Sequence, residues 1–368
     1  MAQKFCLCTK IVFLLWIMWI SLLSPFNLRK CVLHTNRFQL NFKEIIMAKK
    51  ILVAGGAGYI GSHVQKQLLE EGFEVLIFDD LSSGDEVNIL KGANFFKGNI
   101  LDQQALNQAM SQNIDGVVHL AAKKAVGESM IKPELYAENN LAGSINILNA
   151  MVKNGVKYIV FSSSAAVYGM PEYTPIDEKH PINPINYYGY TKYAIEQNME
   201  WYAKLGKLNY AALRYFNAVG YAADKSITGR ERNPQNLLPI IMEVATGKRA
   251  KMSIFGNDYN TPDGTCIRDY VHVSDLAKAH TAALRRLMNT NESFAVNLGT
   301  GRGTSVKEIV DASEKIIGKK LNYDYAERRA GDPAILTANA DKAFDLLGWK
   351  PDYTNIEDII RTVWNLEI

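Results

Sequence analysis

At 368 residues, with 48% apolar and 21% charged side chains, the chain is long enough for two domains or one large α/β unit with an ample core. Its net charge of +3 comes from one end: residues 1–46 carry +5 and the remainder −2, which excludes a basic face for nucleic acid. Cys6, Cys8 and Cys31 lie in that same end, leaving only Cys266, so a disulfide framework is excluded and the body reads as cytoplasmic.

Residues 1–46 contain "IVFLLWIMWISLLSPFN", uncharged between Lys10 and Arg29. Three readings compete: a cleaved secretory signal, a membrane anchor of about 18–20 apolar residues, and an extension ahead of a true start at Met47. No small-x-small cleavage site follows, and "MAKKILVAGG" would open a first strand within a few residues of an initiator. The segment is expected to be a leader outside any domain, with membrane contact only if it is a real anchor.

"KILVAG" has the β-branched apolar character of a buried parallel strand. Gly55, Gly58 and Gly61 follow, and Ile60, Val64 and Leu68 then recur at helical spacing. Strand, glycine turn and helix together suit a dinucleotide. Gly55 supplies the turn, Gly58 lets a pyrophosphate approach, Gly61 lets the helix pack close, and the helix N-terminus faces the phosphates. The next strand ends in Asp79 and Asp80, which suit the ribose hydroxyls of NAD and repel the extra phosphate of NADP.

Strand and helix candidates alternate onward through "NFFKGNI", "DQQALNQAMSQ", "DGVVHLAA", "KPELYAENNLAGSINILNAMVKNG" and "VKYIVFSSSAAVYG". That order predicts an α/β protein with a Rossmann-type, doubly wound parallel sheet. Asn99 and Ile100 fall at a strand end where an adenine could rest. Ala121 and Ala122, followed by Lys124, leave room at another. Beyond about residue 215 the alternation loosens. The expected organisation is an NAD-binding domain over 47–215 and a smaller, mixed α/β, partly interleaved substrate domain over 216–368.

"NPINYYGYTKYAIEQNMEWYAK" is helical after Pro184 and holds Tyr188 and Lys192 one turn apart on one face. A nearby ammonium favours a phenolate, so the pair suits acid–base work near neutrality. Ser164, closing "IVFSSS", can hydrogen-bond the oxygen whose proton moves.

These features resemble the extended short-chain dehydrogenase/reductase superfamily. Through "KAVGES", "SSSAAVYG", "YGYTKYAIE", "LRYFNAVG", "RNPQNLLP", "IFGNDYNTPDGTCIRDYVHV" and "RRAGDPA" they resemble, more narrowly, its UDP-glucose 4-epimerase family, from about Lys49 to the C-terminus. The resemblance implies a permanently held NAD and a UDP-sugar substrate. Tyr188 would take the proton of the sugar 4-hydroxyl as hydride leaves C4, and the 4-keto sugar would turn and be reduced on its other face. It implies NAD contacts from Gly55, Gly58, Tyr59, Ile60, Gly61, Asp79, Asp80, Asn99, Ile100, Leu120, Ala121, Ala122, Lys124, Asn139, Ser164, Tyr188, Lys192 and Phe216. Substrate contacts would come from Lys124, Ser164, Tyr188, Asn217, Asn236, Leu237, Arg268, Tyr270, Arg329, Asp332 and Leu336, with no metal and a homodimer as the default assembly. The chain departs from the family's pattern at Asn99, often aspartate, at Ala166, often threonine, and at Leu336, where some relatives wall the pocket with tyrosine. A 4,6-dehydratase is disfavoured because Ala165 and Ala166 stand where its Asp-Glu pair would be. A 4-epimerase of UDP-N-acetylglucosamine or of a UDP-pentose stays open, and a non-catalytic NAD module is the alternative outside enzymes.

Overall fold

In β1 (Lys50–Ala54), Ile51 and Val53 point to one face and Leu52 and Ala54 to the other, and all four are fully buried. A strand covered on both sides needs helices on both sides. The chain supplies them in the order α1 (Tyr59–Glu70), β2 (Glu74–Asp79), β3 (Asn94–Lys97), α2 (Gln103–Met110), β4 (Gly116–His119), α3 (Val126–Ile131) and α4 (Pro133–Tyr136). A π-helical turn (Ala137–Ala142), α5 (Gly143–Asn154), β5 (Tyr158–Ser162), α6 (Tyr187–Lys204) and β6 (Asn209–Tyr215) follow. The computed structural model describes residues 48–230, 234–329 and 331–368; the leader and Met47 lie outside the described residues.

After β6 come β7 (Asn217–Val219), α7 (Leu237–Ala245), β8 (Met252–Phe255), β9 (Ile267–His272), α8 (Val273–Thr290), β10 (Phe294–Leu298) and β11 (Gly303–Ser305). The chain ends with α9 (Val306–Ile317), β12 (Tyr323–Ala326), β13 (Ile335–Leu336), α10 (Asp341–Leu347) and α11 (Ile356–Trp364).

Seven strands form one parallel sheet in the order β10-β6-β5-β4-β1-β2-β3. The order reverses between β1 and β4, so a crevice opens at their carboxyl ends, the usual ligand position in such sheets. One face packs Val64 and Leu68 of α1 with Leu276, Leu284 and Leu287 of α8 against Ile51, Val53 and Ile77. The other packs Leu106, Ile147, Met151, Ile195 and Met199 against Leu52, Leu76, Ile159 and Phe161.

The remaining strands build smaller sheets. β9 pairs with β11 antiparallel and with β7 and β13 in parallel, while β12 pairs with β8. Their core joins α7, α9 and α11. The chain is interleaved: α8 and β10 return to the large sheet after β7 to β9 have built part of the small one. Among the described residues no helix is long and apolar enough to cross a membrane.

Candidate active site

The glycine turn sits at the mouth of the crevice. Gly55 adopts φ +81°, and a Cβ there would lie 2.6 Å from the Ala121 nitrogen, so the turn butts against the end of β4. At Gly61 a Cβ would lie 2.3 Å from the Gly55 carbonyl oxygen, so only glycine lets α1 start this close to the turn. Gly58 differs: its Cβ would meet only the Gly55 oxygen, at 3.3 Å, which leaves the α1 N-terminus open to an anion. Tyr59 turns its hydroxyl to the Gly220 carbonyl, and Ile60 packs on the sheet core.

Asp79 performs a task that spacing did not reveal. Its buried carboxylate accepts from the Ala57 N–H (3.0 Å) and the Leu81 N–H (2.9 Å), so it braces the glycine turn from β2. Burial raises its pKa, and these two bonds pull it back. Asp80 accepts from Asn99 Nδ2 at 2.7 Å, and Ile100 is buried under Gly143. Leu120, Ala121 and Ala122 are half-buried after β4, and Lys124 is exposed just beyond them. Asn139 Nδ2 donates to Asn140, whose buried side chain clamps the Lys123 backbone (2.9 and 3.0 Å) and accompanies Thr191 of α6. Nothing in the sequence singles out Asn140 beside Asn139.

The serine cluster and the tyrosine–lysine helix meet at the ends of β5 and α6. Gly189 makes the approach possible, since a Cβ there would lie 2.4 Å from the Ala166 carbonyl oxygen. Asn186 caps α6 through the Gly189 N–H at 2.8 Å, and the Tyr188 N–H donates to Ser129 Oγ at 3.1 Å. Ser164 hydrogen-bonds the Tyr188 phenol, which burial pushes up to about 12 and this bond draws down. Lys192, almost wholly buried, donates from Nζ to the Ser162 carbonyl (2.7 Å) and lies 5.7 Å from the centre of the Tyr188 ring. Burial lowers Lys192 to about 7. Ser164 thus bears directly on the Tyr188 phenol, while the Lys192 ammonium is held against the strand backbone.

A second set gathers on the smaller sheets. Arg268 of β9 is 7% exposed; its Nη1 donates to the carbonyls of Ile267 (2.9 Å) and Pro333 (2.8 Å), and its Nη2 has no hydrogen-bond partner. Asp332 lies 3.7 Å from that Nη2 and accepts from Arg329 Nε at 2.9 Å. Tyr270 is buried on β9, with Asn217 its register partner on β7. Asn236 is exposed at the head of α7 beside half-buried Leu237. Phe255, exposed at the end of β8 with the Arg329 guanidinium 4.9 Å above its ring, joins this set although sequence reasoning passed over it; so does Tyr259, whose buried hydroxyl is unpartnered.

Leu336 links the two sets. It is the register partner of Arg268 and packs in one apolar cluster with Phe216, Ala165, Val167 and Tyr168, which line the turn after Ser164. An orphaned guanidinium nitrogen at one end of that wall and a serine-bonded phenol at the other suit a molecule with an anionic handle and a hydroxyl to deprotonate.

Sheet, glycine turn and serine–tyrosine–lysine set define a nucleotide-dependent enzyme of the dehydrogenase/epimerase type. Residues 51–299 match the NAD dependent epimerase/dehydratase family, and the chain belongs to that family. Within it the chain is similar to the UDP-glucose 4-epimerases. The Streptococcus mutans serotype c protein of that name is 47% identical over 85% of this chain and 95% of its own length. The crystal structure of UDP-glucose 4-epimerase from Brucella ovis in complex with NAD is 42% identical, with a TM-score of 0.83 over 86% of this chain and 97% of that one. The Bifidobacterium longum enzyme in complex with NAD+ and UDP is 37% identical, with a TM-score of 0.81 over 87% and 98%.

Proposed function

We propose that this protein interconverts UDP-galactose and UDP-glucose with bound NAD. The observation that carries the reading is the wall from Arg268 through Leu336 to Ser164 and Tyr188, with a donor left over at its far end. The open α1 N-terminus at Gly58 fits a pyrophosphate, and the acidic end of β2 fits a cofactor without a 2′-phosphate. Gly55, Gly61, Asp79, Asp80, Asn99, Leu120 to Ala122, Lys124 and Asn139 would complete that cradle, with Phe216 and Lys192 at its inner end. NAD, when bound, accepts a hydride and returns it within one turnover.

The chain's own residues would do the rest. Tyr188 takes the proton of the sugar 4-hydroxyl and gives it back to the 4-keto sugar, with Ser164 holding the shared hydrogen bond. Arg268 Nη2 and Arg329 would hold the diphosphate, because a planar guanidinium fits phosphate oxygens. Phe255 offers a face on which a uracil can stack, and Asn217, Asn236, Leu237 and Tyr270 close the uridine end. Leu336 in the place of a larger ring favours a second reading, in which UDP-N-acetyl sugars are also turned over.

The test is incubation of the purified protein, without added cofactor, with UDP-galactose and with UDP-N-acetylgalactosamine. UDP-glucose should form, and denaturation should release NAD. Activity wholly dependent on added NAD, or no UDP-glucose, would count against the reading.

A homodimer belongs to the same proposal. Val152 of α5, Trp201 of α6 and Leu205 just beyond it stay exposed where Tyr202 bonds Asn149 at 2.7 Å and ties the two helices together. Such a face suits a second copy of itself. Trp201→Glu with Leu205→Glu should halve the mass measured by light scattering without loss of helicity; an unchanged mass would place the interface elsewhere. A cytoplasmic site of action fits the buried free thiol of Cys266.

A further inference from the structure

Ser162, the last residue of β5, and Ser163 and Ser164 just beyond it turn to three different partners. Ser162 Oγ bonds the Tyr215 hydroxyl, Ser163 Oγ donates to Glu196, and Ser164 Oγ bonds Tyr188. Glu196 sits one helical turn beyond Lys192 on α6, so both reach the same strand end. Arg214 of β6 grips both carboxylate oxygens of Glu196, with Nε 3.1 Å from Oε1 and Nη2 2.6 Å from Oε2. Its Nη1 donates to the Tyr168 hydroxyl at 3.0 Å, which in turn donates to Asn297 Oδ1 of β10 at 2.7 Å.

Tyr168 closes the short turn that Ser164 opens. The chain from Ser163 to Tyr168 is thus pinned at both ends, and both pins run through the Glu196–Arg214 pair. Ser163, Tyr168, Glu196, Arg214 and Asn297 are all buried. A buried ion pair contributes little net stability compared with well-packed apolar side chains, so its value here is in geometry and local charge.

We propose that Glu196, anchored by Arg214, is a positioning residue that aims Ser164 at Tyr188 through Ser163 and stands, one helical turn along, as the carboxylate counterpart of Lys192. The proposal rests on the reading of Tyr188, Ser164 and Lys192 given above. The electrostatics agree. Burial drives Lys192 toward neutrality, and Glu196 is the carboxylate that opposes it. The other titratable groups around Lys192 carry no compensating charge: His119 of β4 is held neutral by burial, Tyr188 and Tyr215 are raised, and the Arg214 cation is spent on Glu196. Removing the Glu196 charge lets Lys192 lose its proton at lower pH.

Ser163→Ala, Ser163→Thr, Glu196→Gln and Tyr188→Phe, each prepared as the NAD-loaded protein, test this. Ser163→Ala leaves the ion pair in place. It should lower kcat about 10–100-fold with KM for UDP-galactose and Tm nearly unchanged, the signature of a misaimed group, and Ser163→Thr should restore most of the loss. In Glu196→Gln the alkaline limb of the kcat profile should move to lower pH by about one unit. Native kcat in Ser163→Ala, or a folded Glu196→Gln with the native pH limbs, overturns the proposal. If Glu196→Gln fails to fold, the Ser163 pair decides. Turnover surviving in Tyr188→Phe would instead overturn the reading of the site itself.

Discussion

Tyr188 is the residue on which the proposed chemistry turns. Held at about 12 by burial, it keeps its proton near neutrality until its surroundings change, and its hydrogen bond comes from Ser164. Tyr188→Phe deletes one oxygen and leaves the packing of α6 in place. Turnover should fall about 10²–10⁴-fold, the usual share of a positioned acid–base group, with the circular dichroism spectrum and NAD content retained. A near-native rate would show that the proton leaves by another route. Leu336 makes a different kind of contribution. It packs beside Phe216 and Ala165 without any polar atom, so it discriminates by shape alone, and such pockets separate substrates by only about 1–3 kcal/mol. UDP-galactose should therefore be the main substrate, with measurable turnover of UDP-N-acetylgalactosamine that Leu336→Tyr suppresses selectively. Equal loss on both sugars would remove Leu336 as the gate.

At the level of elements, the α1 start and the glycine turn behave as one piece. A Cβ at position 61 would lie 2.3 Å from one backbone atom and 2.7 Å from another, and neither can swing aside as a side chain could. Gly61→Ala should cost about 1–3 kcal/mol of stability, as overpacking does, and strip NAD from the purified protein. Full NAD content in that variant would mean that the helix can shift outward at no cost to the cradle. This unit was legible in the sequence because three glycines at fixed spacing interrupt a strand-to-helix change of period. Tyr188 and Lys192 were legible for the same reason, since a four-residue interval has one meaning on a helix. Glu196, Asn140 and Gly189 carry no such signal. Each is a single ordinary letter inside a helix, and what makes it matter is a partner brought in from elsewhere: Arg214, Lys123 or the Ala166 carbonyl. The two-residue strand β13 was equally hidden, because its pairing with β9 is decided by its partner.

For the whole molecule, acid sensitivity follows from its buried imidazoles. Burial lowers His63 and His280 to about 4 and His119 and His272 to about 3. They are neutral when folded and take up protons once unfolded below about 6.5, so the stability they support is complete above that pH and drains away as pH falls toward their folded values. Each contributes up to about 1.4 kcal/mol per pH unit in that window. Asp269 and Asp275, raised by burial, act in the opposite direction, gaining stability as pH falls below their folded values. Urea midpoints should therefore drop steeply from pH 6.5 to 5, and a flat midpoint over that range would contradict the assignment. The interleaved path of the chain bears on its synthesis. Helix α1 leaves the ribosome early, yet Val64 and Leu68 find their cover in α8, and the sheet edge on β6 is closed only by β10. A nascent chain therefore carries an uncovered apolar helix face and an unpaired strand edge until translation has passed Leu298, more than two hundred residues after α1. Over that interval the growing polypeptide is a natural client for chaperones that bind at the exit tunnel.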